Sequence, residues 1–137
     1  MENFENYIKI IASFTGGALA WFFGGFDGII KVLVVFAIID YITGIIEACT
    51  TNTLSSKIGF AGIFKKFIMF LLVGVANIID IEVLKNSGNV LRTALIFFYI
   101  SNEGISILEN AAALNLPVPE FLKNVLDNIG KDKDKEN

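Results

Sequence analysis

The chain has no histidine and a single cysteine, Cys49. One thiol excludes an intramolecular disulfide, and without His or a Cys cluster a protein-built zinc site lacks its usual ligands. The same absence removes the commonest general base and the Ser-His and Cys-His nucleophile pairs. Enzymatic catalysis is therefore not expected. Charge is scarce as well: 18% of the 137 residues are charged, against about 25% in a soluble domain. The net charge of −3 includes no basic stripe of the kind nucleic acid demands, so no nucleic-acid partner is expected. Apolar side chains are abundant instead. They make up 54% of the sequence, with thirteen phenylalanines and a mean hydropathy of +0.64. That balance points to lipid as the main solvent.

Four apolar stretches carry this excess, at about 7–23, 29–47, 64–83 and 90–110. A helical span needs about 20 residues, because each residue rises about 1.5 Å across a hydrocarbon core about 30 Å thick. The fold class expected is therefore all-α: an integral membrane protein of four transmembrane helices plus a short C-terminal amphipathic helix. Glu2 and Glu5 stand where a cleavable signal wants positive charge, so the first stretch is expected to remain as a span. The cations are sorted. Lys9, the central Lys57, Lys65 and Lys66, and Lys123, Lys131, Lys133 and Lys135 make eight on one side of a four-span arrangement. Lys31, Lys85 and Arg92 make three on the other. Cytoplasmic segments hold the Lys/Arg excess, which places both termini in the cytoplasm.

The connections differ in kind. Gly24-Gly25-Phe26-Asp27-Gly28 reads as a tight turn joining the first two spans in a close hairpin. The longer connection 48–62 contains Ser55 and Ser56, either of which suits the cap of a short helix leading toward Lys65 and Lys66. Asn86-Ser87-Gly88-Asn89 makes the third turn. Pro117-Val118-Pro119 breaks the last span. Beyond it Phe121, Leu122, Val125, Leu126 and Ile129 share one face of a helix over about 119–129. That helix packs either on the protein's own core or on the membrane surface. Residues 1–127 form the membrane domain, and the alternating charges of 130–137 predict a solvated, disordered tail.

Polar residues within the spans suggest function. Asp40, Thr43, Gly44 and Glu47 recur at helical spacing on one side of the second span. Asn77 and Asp80 lie in the third. Tyr99, Asn102, Glu103, Ser106 and Asn110 form a stripe in the fourth. A charge at the bilayer centre costs about 2.5–3.5 kcal/mol on insertion scales, so such groups are usually functional. No Lys or Arg falls near mid-span to neutralise them. Two readings stand: the stripes meet inside the bundle, or they line a wet path and join subunits. Gly16, Gly17 and Ala20, and Gly44 in the second span, give small-residue spacings for close helix packing.

These motifs resemble the bacterial toxin-secretion and phage-lysis holin family. The residues that carry the resemblance are Asp40-Tyr41-Ile42-Thr43-Gly44 and Leu54-Ser55-Ser56-Lys57-Ile58-Gly59 with Gly62-Ile63-Phe64-Lys65-Lys66. Asn102-Glu103-Gly104-Ile105-Ser106-Ile107-Leu108-Glu109-Asn110 and the Pro117-Val118-Pro119 break follow in order. The resemblance implies a protein without cofactor or active site. It implies homo-oligomerisation in the bacterial cytoplasmic membrane and a lesion that releases an endolysin or toxin as cargo. Asp40, Thr43, Glu47, Asn77, Asp80, Asn102, Glu103 and Asn110 are then the candidates for pore lining or subunit contact. An antiholin that restrains a holin, or a small ion or solute channel, would carry much the same sequence.

Overall fold

The computed structural model describes residues 1–85 and 88–131. Among them every element is helical: α1 (Glu2–Phe23), α2 (Gly28–Thr50), α3 (Ser56–Ile78) continued by a π-helical turn (Ile79–Val83), α4 (Val90–Ala113) and α5 (Glu120–Lys131). Part of the expected third turn, at 86–87, and residues 132–137 of the expected tail lie outside the described residues. α5 runs two residues into that tail.

Among the described residues three helices are long and apolar enough to cross a membrane: α2, α3 with its π turn, and α4. Their 23, 28 and 24 residues reach about 35–42 Å, more than the core requires. α1 falls outside this set, because Asn6, Lys9, Ser13, Thr15, Gly16 and Gly17 dilute its apolar run. The expected count of four spans is thus reduced to three helices that qualify on length and composition.

Local chemistry sets the helix starts. The Asp27 carboxylate accepts from the Ile30 N–H at the head of α2, and the Ser55 hydroxyl accepts from the Ile58 N–H at the head of α3. Each satisfies one of the amides that a helix N-terminus leaves without an internal partner. The Ser55 cap corrects the predicted long central connection. α3 begins at Ser56, so Lys57, Lys65 and Lys66 are helical, and the link shrinks to 51–55.

The predicted hairpin of the first two spans is also corrected. α1 does not pack along α2. It touches α3 through its last turns, and residues 3–19 are exposed on every face. Gly24 and Gly25, both at positive φ (71° and 92°), turn the chain so that α1 leaves toward α3.

The core joins Ile30, Leu33 and Ala37 of α2, Met69 and Val73 of α3, and Ile96 and Ile100 of α4. α4 is the central element, packed chiefly on α2 and α5 and also against α3. α2 and α3 diverge around an apolar groove of about 590 Å³ lined by residues including Phe23, Ala37, Phe67 and Phe70. Helices in lipid associate through close fit more than through hydrophobic force, and glycines supply the fit here. Gly74 lies under the Phe22 ring, Gly104 under Leu126 and Phe36, and Gly62 against Tyr41. Sequence spacing singled out other positions. A Cβ added at Gly16 or Gly17 would meet nothing within 4 Å, and one at Gly44 only the Asn110 amide at 3.6 Å. Ala20 is half-buried.

Candidate functional site

Asp40, Lys66 and Glu103, one each from α2, α3 and α4, converge inside the bundle. The Lys66 ammonium donates to Asp40 Oδ2 at 2.6 Å and to Glu103 Oε2. Their side chains are 15–17% exposed for Asp40 and Lys66 and 14% for Glu103, so the triad is mostly shielded. Asn110 extends it: its amide donates to Thr43 Oγ1 at 2.9 Å and Asp40 Oδ1 at 3.2 Å. The Thr43 hydroxyl donates to the Asp40 carbonyl at 3.0 Å. Asp40 is the hub, and one cation stands between two carboxylates.

This corrects the expectation that no Lys or Arg falls near mid-span to neutralise the acids. The early start of α3 places Lys66 ten residues into a helix, level with the acids. Four of the candidate residues, Asp40, Thr43, Glu103 and Asn110, are therefore brought together within one chain. A cleft of about 430 Å³ adjoins them, lined in part by Asp40, Glu47, Lys65, Lys66, Ser106 and Asn110. Glu47 is half-buried at its edge, and its backbone carbonyl accepts from the Thr50 and Thr51 hydroxyls. Asn102 stands apart, exposed on the outer face of α4.

A second network closes the opposite end. Asn77 and Asp80 are fully buried. The Asn77 amide donates to the Trp21 and Phe22 carbonyls, both at 3.1 Å, at the end of α1. The Asp80 carboxylate, carried on the π turn, accepts from the Leu91 and Arg92 amides at 3.1 and 2.8 Å and caps α4. Both supply groups that helix ends leave orphaned. Among the described residues Asn77 Oδ1 has no hydrogen-bond partner, and it faces Gly24, where a Cβ would strike the Asn77 amide.

Arg92, 1% exposed, donates to Asp27 Oδ2 at 2.8 Å and Oδ1 at 3.2 Å, to the Gly25 carbonyl at 3.1 Å and to the Phe23 carbonyl. Its hydrogen bonds hold the Asp27 carboxyl below its usual pKa. Sequence reasoning missed Lys66, Arg92 and Asp27 as members of these networks. Asp27 carried one legible signal, an N-cap residue before an apolar run. Arg92 carried another, a guanidinium two residues inside one.

Residues 17–131 match the bacteriophage holin family. A probable holin of Bacillus phage phi105 is 37% identical over 107 residues, 78% of each chain. An uncharacterized 14.9 kDa protein from the nagH 3′ region of Clostridium perfringens is 44% identical over 133 residues, 97% of this chain and 100% of the other. Lmo0128, an uncharacterized protein of Listeria monocytogenes, is 44% identical over 111 residues, 81% of this chain and 78% of its own. No solved structure matches.

Proposed function

The chain belongs to the bacteriophage holin family, and we propose that it assembles in the bacterial cytoplasmic membrane into a lesion that lets an endolysin or toxin reach the cell wall. Within a chain of this family, the observation that carries self-assembly is α1. Among the described residues none buries any of 3–19, and Phe4, Ile8, Ile11 and Phe14 are exposed along them. Gly16 and Gly17 leave open space there for a second helix to approach.

In this reading α1 crosses the membrane as a fourth span where neighbouring subunits cover it, and both termini are cytoplasmic. Asn102, exposed at mid-length on α4, supplies a subunit contact. Asp40, Glu47 and Asn110 reach water through the cleft they line, with Thr43 and Glu103 hydrogen-bonded behind them. Asn77 and Asp80 hold the far end of the subunit together. The partners are the lipid bilayer, further copies of this chain, and the released cargo without a stable complex.

The test is induction in bacteria with a co-expressed cytoplasmic endolysin, following membrane potential. Abrupt depolarisation with lysis that depends on both proteins is expected. Depolarisation without endolysin release would replace the lesion with a narrow channel. No depolarisation, with the protein confirmed in the membrane, would make it a restraining partner of another holin.

A further inference from the structure

α1 leaves the bundle in a fixed direction. The Asn77 amide holds the Trp21 and Phe22 carbonyls, and the Arg92 guanidinium holds those of Phe23 and Gly25. Asn77 and Arg92 are both buried. α1 is one uninterrupted helix to Phe23, so a grip on its last turn aims all of it. That aim carries residues 3–19 clear of the other described residues, and so clear of the chain's own groove between α2 and α3.

The groove begins where α1 departs. Leu19 and Phe23 lie at one end of it, and Tyr41, Ile63 and Lys66 at the other. Apolar side chains line the space between, among them the rings of Phe26, Phe67 and Phe70. A helix about 10–12 Å across is too wide to enter about 590 Å³ whole, so the groove takes one face of it.

α1 has a face of that kind. Ser13, Gly16, Gly17 and Ala20 share one side at helical spacing, and a Cβ at either glycine would meet nothing within 4 Å. Phe4, Tyr7, Ile11 and Phe14 recur on the opposite side, all exposed. Rings set against glycines already join helices in this chain, Phe22 on Gly74 and Tyr41 on Gly62. The groove offers the rings and α1 the glycines.

Depth brings the two together. Copies related by rotation about the membrane normal, as in a ring of subunits, keep each residue at one depth. With α1 crossing as above, counting back from the Phe22–Gly74 contact at equal rise along both helices sets 13–17 of α1 level with 65–69 of α3. Those α3 residues include Lys66 and Phe67 of the groove wall. Glu5 falls level with Lys57, which is exposed at the head of α3. There the carboxylate meets a cation and the positive end of a helix. Lys9 lies beyond the groove's mouth at Ile63, one turn from Glu5 on its own helix. Both cations thus stay on the cytoplasmic side, as the sorting of charge requires.

We propose that the groove between α2 and α3 receives the α1 of a neighbouring copy, glycine face inward, with Phe4, Tyr7, Ile11 and Phe14 turned to lipid. Each copy gives one helix and accepts one, a head-to-tail contact that closes into a ring or extends. This rests on the holin reading above and supplies the surface onto which α1 assembles.

The test is disulfide cross-linking in bacterial membranes, using the full chain with its exposed cysteine removed by Cys49→Ser. Two differently tagged copies are co-expressed, one with Ser13→Cys and the other with Phe67→Cys, both at exposed positions. Phe14→Cys replaces Ser13→Cys in the control. Membrane potential and lysis with a co-expressed endolysin are followed before oxidation. A disulfide-linked dimer bearing both tags is expected, severalfold more abundant with Ser13→Cys than with Phe14→Cys. Adding Gly16→Leu to the Ser13→Cys copy should abolish it. Equal yields from Ser13→Cys and Phe14→Cys, or a dimer that survives Gly16→Leu, would overturn the docking of this face. A bond closed within one chain carrying both cysteines would give the groove to its own α1 and overturn the proposal. Absence of the mixed dimer, with both copies confirmed in the membrane, would overturn it too, and lysis in that case would leave the holin reading standing. The mixed dimer without depolarisation would keep the interface and sink the holin reading.

Discussion

Lys66 stands between Asp40 and Glu103, so the three possible deletions are unequal. Asp40→Leu or Glu103→Leu leaves one matched ion pair. Lys66→Met leaves two shielded carboxylates facing each other, and removing one partner from a buried pair typically costs about 3–5 kcal/mol. Thermal unfolding in detergent is expected to fall furthest for Lys66→Met. The two acid variants should insert normally yet fail to depolarise cells. Normal depolarisation by both would end their role in a wet path or subunit contact.

Asp27 gives a pH prediction of definite sign. Arg92 depresses its carboxyl below the ordinary value of 3.8, so its contribution is complete above that value and disappears as pH falls through the depressed one. Asp27→Asn should destabilise the protein at neutral pH. The gap from wild type should close on acidification below 3.8, as read from helix melting across that range. A gap that stayed constant would show that the Arg92 contact contributes nothing. Neither residue's partner was legible in the sequence. Arg92 and Asp27 are 65 positions apart, and nothing local pairs them.

At the scale of elements, α1 is fastened to the bundle by its last turns alone. The Phe22 ring fills the space a side chain at Gly74 would need. Gly74→Ala should therefore cost about 1–3 kcal/mol through overpacking and loosen α1 from α3. Adding Phe22→Ala should recover part of that loss, since contacting residues are not additive. Melting curves of the two single variants and the double variant measure the coupling. Strict additivity would mean the ring and the glycine do not meet. Small-residue spacing did not point to Gly62, Gly74 and Gly104, the glycines that meet another helix within the chain, because spacing on one helix does not say which face another helix approaches. The helix starts were easier to read. Ser55 and α5 lay where capping and periodicity put them, since both are properties of a few consecutive residues.

At the scale of the molecule, the open question between three and four crossings is one of sidedness. Three qualifying spans put the termini on opposite sides of the membrane, and a fourth crossing by α1 puts them on the same side. Lys66 is drawn into the bundle, and the remaining cations, seven against three, still favour both termini in the cytoplasm. A reporter active only outside the membrane should then be silent when fused to either end. Activity at the N-terminal fusion alone would leave α1 lying outside three spans.

The sequence by itself determined that this is a helical membrane protein of holin type. Length, hydropathy, charge sorting and capping are each written within a few turns of chain. The tertiary structure decided which polar groups meet. Asp40 finds Lys66 across 26 positions and Asn110 across 70, and α5 folds back to the middle of α4. Such pairings depend on the register and rotation of whole helices. In lipid those are fixed by where glycines let backbones approach and polar groups find partners, and neither is visible until the helices are side by side.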